Sequence, residues 1–183
     1  MIRLDDCRFA LWRSSENEIT FFAQMGRFFA SRTVRRECGN YPLDDGPRYR
    51  WFVVQNAQAS HVLGFISVEH LGDRLHMRQG YVRPEARGVG LFRTLRDTVL
   101  AYADKQDLPL LTRIPTRCVP FLLAHGFTVQ GERGTWTTLM RIRHARSKTI
   151  DPGRRDPVPE AGHLAALPPC GTDQHPAATI ARA

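Results

Sequence analysis

Between residues 80 and 99 the chain changes its apolar period, and this change constrains the fold more than any other feature. Gly80-Tyr81-Val82 closes a strand-like run, Arg83-Pro84 turns it, and beyond Arg87-Gly88-Val89-Gly90 the residues Leu91, Leu95 and Val99 recur every four positions. The pattern is strand, loop, helix. Two glycines at a helix entrance leave backbone N–H groups uncovered, and the first helical N–H groups have no partner within the helix. Such an entrance attracts anions, phosphate above all.

Spacing separates the phosphate-binding designs. A P-loop requires Gly-x-x-x-x-Gly-Lys-Ser/Thr, and residues 1 to 104 contain no Lys. A dinucleotide fingerprint requires a third Gly where Arg93 stands. The run Arg87-Gly88-Val89-Gly90-Leu91-Phe92, preceded by Val82-Arg83-Pro84-Glu85, instead resembles the pyrophosphate loop of the GNAT acyl-CoA N-acyltransferases, Arg/Gln-x-x-Gly-x-Gly/Ala. Phe92 departs from the family pattern, which has Gly or Ala there.

The rest of the chain supplies a matching order of elements. Ile2, Leu4, Phe9 and Leu11 alternate loosely, as in an edge strand, and Ser15-Glu16-Asn17-Glu18 has the form of a capping box. The helix that follows would bury Phe22, Met25 and Phe29, with Phe21 and Phe28 beside them. The helical region ends at Cys38-Gly39-Asn40-Tyr41-Pro42. Residues 50–54 and 61–69 read as a hairpin and 75–82 as a third strand, with Gly80 a candidate bulge. Then come a helix over 90–105, a strand over 108–114, a short helix over 117–125 and strands over 127–130 and 135–142. His125-Gly126-Phe127 falls where the family has Leu-Gly-Phe. The expectation is one α/β GNAT-like domain over residues 1–144, with a mixed, mostly antiparallel sheet flanked by helices. Residues 145–183 hold half of the prolines among Gly, Ala and Arg, and read as a disordered tail.

The resemblance implies a chemistry. Acetyl-CoA would be the co-substrate, gripped by Arg87, Gly88, Val89, Gly90, Leu91 and Phe92, with its pantetheine arm along the strand ending at Val82. The amide of Val82 or a neighbour would polarise the thioester carbonyl. An alkyl ammonium with pKa ~10.4 must lose a proton before it attacks. In the family a base often sits six residues before the strand's last apolar residue, which here is His76, and Glu69 on the preceding strand is the other candidate. By strand parity His76 and Val82 share a face unless a bulge intervenes. A Tyr that protonates the leaving thiolate in the family is replaced by Leu122, and a family Asn by Pro115, with the Thr116 hydroxyl beside it.

Charge leaves the acceptor open. Arg and Lys number 26 against 18 Asp and Glu, and 24 of the 26 are Arg. Most of this surplus lies before residue 145 and suits coenzyme A, nucleic acid or an acidic protein equally. The expected function is therefore transfer of an acetyl group to a primary amine of a small molecule, protein or modified nucleic acid. The alternatives are a coenzyme-binding module without catalysis and an acetyltransferase acting on nucleic acid or a nucleic-acid-bound partner. The four cysteines lie too far apart for a Cys-x-x-Cys pair, so no metal is expected. No apolar run nears the ~18 residues of a membrane span, and charges at Arg3, Asp5 and Asp6 interrupt any leader, so a cytoplasmic location is expected.

Overall fold

The computed structural model describes residues 2–142. The segment 145–183, expected as a disordered tail, lies outside the described residues. Seven strands form one sheet: β1 (Cys7–Trp12), β2 (Tyr49–Asn56), β3 (Val62–His70), β4 (Leu75–Val82), β5 (Leu110–Pro115), β6 (Phe127–Arg133) and β7 (Trp136–Arg141). Their spatial order is β1-β2-β3-β4-β5-β7-β6. Every neighbouring pair is antiparallel except β4 and β5, which run parallel. That exception follows from the helix α3 (Leu91–Gln106), the crossover that a parallel pair needs.

Helices α1 (Glu18–Phe29) and α2 (Arg32–Glu37) precede β2, and the short α4 (Val119–Leu123) follows β5. Each face of the sheet carries its own core. Toward α1 and α2 the packing is aromatic: Phe21, Met25 and Phe28 meet Tyr49, Trp51, Phe65 and Tyr81. Toward α3 it is aliphatic: Leu91, Leu95 and Val99 meet Val54, Ile66, Val68, Leu75, Met77 and Val82, with Leu122 of α4 alongside. Most of β3 is buried because both faces are covered, which explains its near-continuous apolar run.

Two expectations about α1 shift by a residue or two. The buried stripe is Phe21, Met25 and Phe28, whereas Phe22 remains 38% exposed. The helix starts at Glu18, not after Ser15, because the Asn17 side chain accepts the Thr20 N–H at 3.0 Å and so caps it. Ser14–Glu16 forms a separate single turn. At the other end of the fold, Arg141 joins β7 to α3 by pairing with Asp104 at 2.6 and 2.9 Å, and its Nε donates to the His125 carbonyl at 2.9 Å. No helix among the described residues is long and apolar enough to cross a membrane.

Candidate functional site

The loop after β4 is built to stay open. A single turn over Pro84–Ala86 is held by Ala86 N–H on the Arg83 carbonyl at 2.9 Å and Arg87 N–H on the Pro84 carbonyl at 3.3 Å. Gly88 and Gly90 then take φ of +82° and +91°, a region that L side chains avoid, and a Cβ on either would meet nothing within 4 Å. The first bond of α3 is Thr94 N–H to the Gly90 carbonyl at 3.1 Å. The N–H groups of Leu91, Phe92 and Arg93 therefore point out of the helix mouth, and no side chain caps them. With the positive end of the helix dipole behind them, they present donors of the kind that suit an anion.

The expected loop residues divide into two kinds. Gly88, Gly90, Leu91 and Phe92 form the mouth, with the Leu91 side chain buried in the core beneath and Val89 packed against the same core. Arg87 is turned inward instead. Its Nε donates to the Val82 carbonyl at 2.9 Å, its guanidinium pairs with Glu37 and it lies 5.8 Å above the Tyr81 ring. Its contribution is to fix the loop against β4. Phe92 lies over Gly80, where a Cβ would come within 2.8 Å of its ring and 3.3 Å of Ile66. Gly80 is thus the seat of an aromatic ring rather than a bulge.

The bulge lies just upstream and changes which residues share a face. Ile66 pairs with Gly80 and Val68 with Met77, so Ser67 stands opposite both Arg78 and Gln79. The Ser67 hydroxyl anchors it, accepting the Gln79 N–H at 3.2 Å and donating to Gln79 Oε1 at 3.0 Å. One extra residue inverts the alternation. Leu75, Met77 and Val82 all face α3, while Tyr81 faces α1. His76 and Val82 consequently lie on opposite faces, which corrects the expectation from parity.

At the same place β4 and β5 part. Their pairing runs from Leu75 with Leu110 to Met77 with Thr112 and stops, although β4 continues to Val82 and β5 to Pro115. Arg83 N–H donates to the Leu63 carbonyl at 2.8 Å, so by antiparallel alternation Tyr81 bonds β3 while the N–H and C=O of Gly80 and Val82 turn toward the parting. Their carbonyls are met there by the Cys38 thiol at 3.8 Å and Arg87 Nε at 2.9 Å. Burial pushes the Cys38 thiol up to about 12, which keeps it a protonated donor.

On the α1 side of the parting stands a polar cluster. Glu69 and His76 are cross-strand partners. Glu69 is buried between two guanidiniums, Arg48 at 2.8 Å from Oε1 and Arg78 at 3.7 Å from Oε2. Arg78 Nη1 also lies 3.3 Å from His76 Nδ1. Burial, aided by the Arg78 charge, lowers His76 to about 4, so the ring is neutral at neutral pH. Burial likewise pushes Tyr49 up to about 12, and its hydroxyl donates to Asp44 at 3.1 Å. The loop after α2 closes this side: Gln79 donates to the Pro42 carbonyl at 3.3 Å, and Gly39 fits beneath Trp136, whose ring a Cβ would strike at 2.4 Å.

Several solved structures share this overall fold. ElaA from Escherichia coli aligns over 74% of this chain and 99% of its own, with a TM-score of 0.57 and 16% identity. An acyl-CoA N-acyltransferase from Pseudomonas aeruginosa aligns over 74% and 99%, with a TM-score of 0.60 and 12% identity. The ribosomal-protein-S18-alanine N-acetyltransferase of Escherichia coli aligns over 79% and 99%, with a TM-score of 0.56 and 13% identity. The chain has the GNAT acyl-CoA N-acyltransferase fold. No protein-family model matches its sequence, and no curated protein does.

Within that fold two departures noted in the sequence acquire a structure. Leu122 is buried in the aliphatic core, packed among its apolar neighbours. Pro115 ends β5 opposite Trp136, and the Thr116 hydroxyl beside it lies 2.9 Å from that of Thr137. Sequence reasoning missed Arg48, Arg78, Tyr49 and Ser67. The signal for Ser67 was there: a lone hydroxyl at 0% exposure in the middle of an apolar strand must have a polar partner. Among the described residues no group of three His, Cys, Asp or Glu could hold a metal ion.

Proposed function

We propose that the chain is an N-acetyltransferase that accepts acetyl-CoA and passes the acetyl group to a primary amine by direct attack. One observation carries this reading: the bare amides of Leu91, Phe92 and Arg93 open at the end of the very strand whose outer edge is left unpaired. The amides would hold the diphosphate. Gly80 and Val82, whose N–H groups face the parting, would bind the pantetheine arm as a missing strand binds, because an extended chain takes up the ladder positions that β5 leaves free. An arm running back along β4 at ~3.3 Å per residue brings the thioester to the bulge, beside Glu69 and His76.

The chemistry then follows from the parting. A Gly80 or Val82 N–H polarises the carbonyl, the amine lone pair forms the new C–N bond, and the C–S bond breaks. Glu69 and His76 are the groups that would relay the amine's proton toward the departing thiolate. With Leu122 in the acid's place, water serves as the final donor, which a thiol of pKa ~8.5 permits. A coenzyme-binding module without turnover is the second reading, favoured by buried Leu122.

Calorimetry of the full chain with acetyl-CoA, followed by thiol release with a panel of amines, tests both. Binding with release supports the transferase. Binding without release leaves the module, and no binding removes both.

A further inference from the structure

Around the bulge, the groups able to take a proton are already held. Each Glu69 oxygen faces a guanidinium, that of Arg48 or that of Arg78. Arginine has no acceptor atom, so in the contact with Arg78 it is the Nδ1 lone pair of His76 that accepts, and the ring proton sits on Nε2. On the loop after α2, Asp44 accepts the Tyr49 hydroxyl and Asp45 accepts the Trp51 indole N–H at 2.7 Å. Across the parting, two residues beyond the His76–Leu111 pair, Arg113 lies 5.8 Å above the Trp136 ring. An alkyl ammonium entering here would meet Arg48, Arg78 and Arg113 alongside Glu69, Asp44 and Asp45, charges that balance, and two candidate bases that each already face an arginine.

We infer that the acceptor is a weakly basic amine that arrives largely neutral, such as the α-amino group at the N-terminus of a peptide, and not an alkyl ammonium. The inference rests on the acyl-transfer reading above. An α-amino group with pKa ~7.8 is about one third neutral at pH 7.5, whereas an alkyl ammonium with pKa ~10.4 is neutral in about one part in a thousand. Before attack, then, no base is needed. After attack the nitrogen is bonded to an electron-poor carbon and is strongly acidic, so its proton passes through Glu69 or water to the thiolate. The product is an amide and a free thiol, and nothing is oxidised or reduced. The depressed pKa of His76 has the same origin, burial beside Arg78.

The test compares two acceptors with saturating acetyl-CoA and the full chain: a lysine-free peptide with a free N-terminus, and Nα-acetyl-lysine amide. The peptide should be favoured in kcat/KM by at least about 30-fold at pH 7.5, with a rate that levels off above about pH 8. The lysine derivative should instead rise tenfold per pH unit up to about pH 9.5. Arg78→Gln, which frees His76 Nδ1 and one oxygen of Glu69, should narrow the preference by about tenfold. Comparable rates for the two wild-type reactions at pH 7.5, or a lysine rate that ignores pH, would overturn the inference while leaving the transferase intact. Absence of heat with acetyl-CoA overturns both together.

Discussion

The entrances of α1 and α3 answer the same physical problem in opposite ways. A helix begins with N–H groups that nothing inside it can satisfy. In α1 the Asn17 side chain accepts from Thr20 N–H, and α2 is treated alike by Ser31, which accepts from Val34 N–H at 3.2 Å. At α3 the residue in that position is Gly90, which has no side chain to offer. Capping contributes about 1 kcal/mol where stability is the purpose. Its omission at α3, which is entered from the parted β4, leaves three amides open to something outside the chain. The bulge belongs with the capped group, since Ser67 satisfies Gln79 N–H from the side.

This contrast can be broken by experiment. Gly90→Asp places a carboxylate at the mouth, and the affinity for acetyl-CoA should fall about 100-fold, or roughly 2.7 kcal/mol, beyond the loss of about 1–2 kcal/mol of stability that any side chain brings at φ +91°. Equal loss of stability and of binding would mean that Gly90 serves the fold alone. Ser67→Ala leaves the buried Gln79 amide without its partner and should cost about 1–3 kcal/mol of unfolding free energy in urea. Asn17→Ala should cost about 1 kcal/mol and leave coenzyme affinity unchanged; a change in affinity would show that the two entrances are coupled.

The smallest effect concerns pH. His76 has a folded pKa of about 4, below its ordinary value near 6.5, so the unfolded chain binds more protons between these values and stability falls as pH drops through that window. His76 is partly exposed, so solvent screening discounts the linkage value, and between pH 7 and 6 its loss should be at most about 0.7 kcal/mol, absent in His76→Gln. His70, lowered by burial and then by Arg50 and Arg13, contributes a slope of the same sign that survives in this variant.

Much of this arrangement could be read from the residues. The bounds of β4 and the start of α3 follow from apolar period and from two glycines, signals that are local in the chain, whereas the mixed sheet was implied by the family resemblance. The acceptor side was less legible because it depends on register. β4 sets two residues, Arg78 and Gln79, against the single Ser67, and that extra step carries His76 to the face opposite Val82. The arginines that grip Glu69 come from positions 48 and 78, far apart in the chain, and no spacing rule joins them. In α1 four phenylalanines in adjacent pairs satisfy two helical stripes equally, and only packing on Trp51 and Phe65 selects Phe21 and Phe28.

The sheet is sewn across its middle by a short seam, three residue pairs between β4 and β5. Beyond that seam the two parts of the sheet are held by the core under α3, which takes in Leu110, Phe127 and Leu139, and by Arg141 on Asp104. An extended chain laid in the slit would lengthen the seam with backbone bonds of its own.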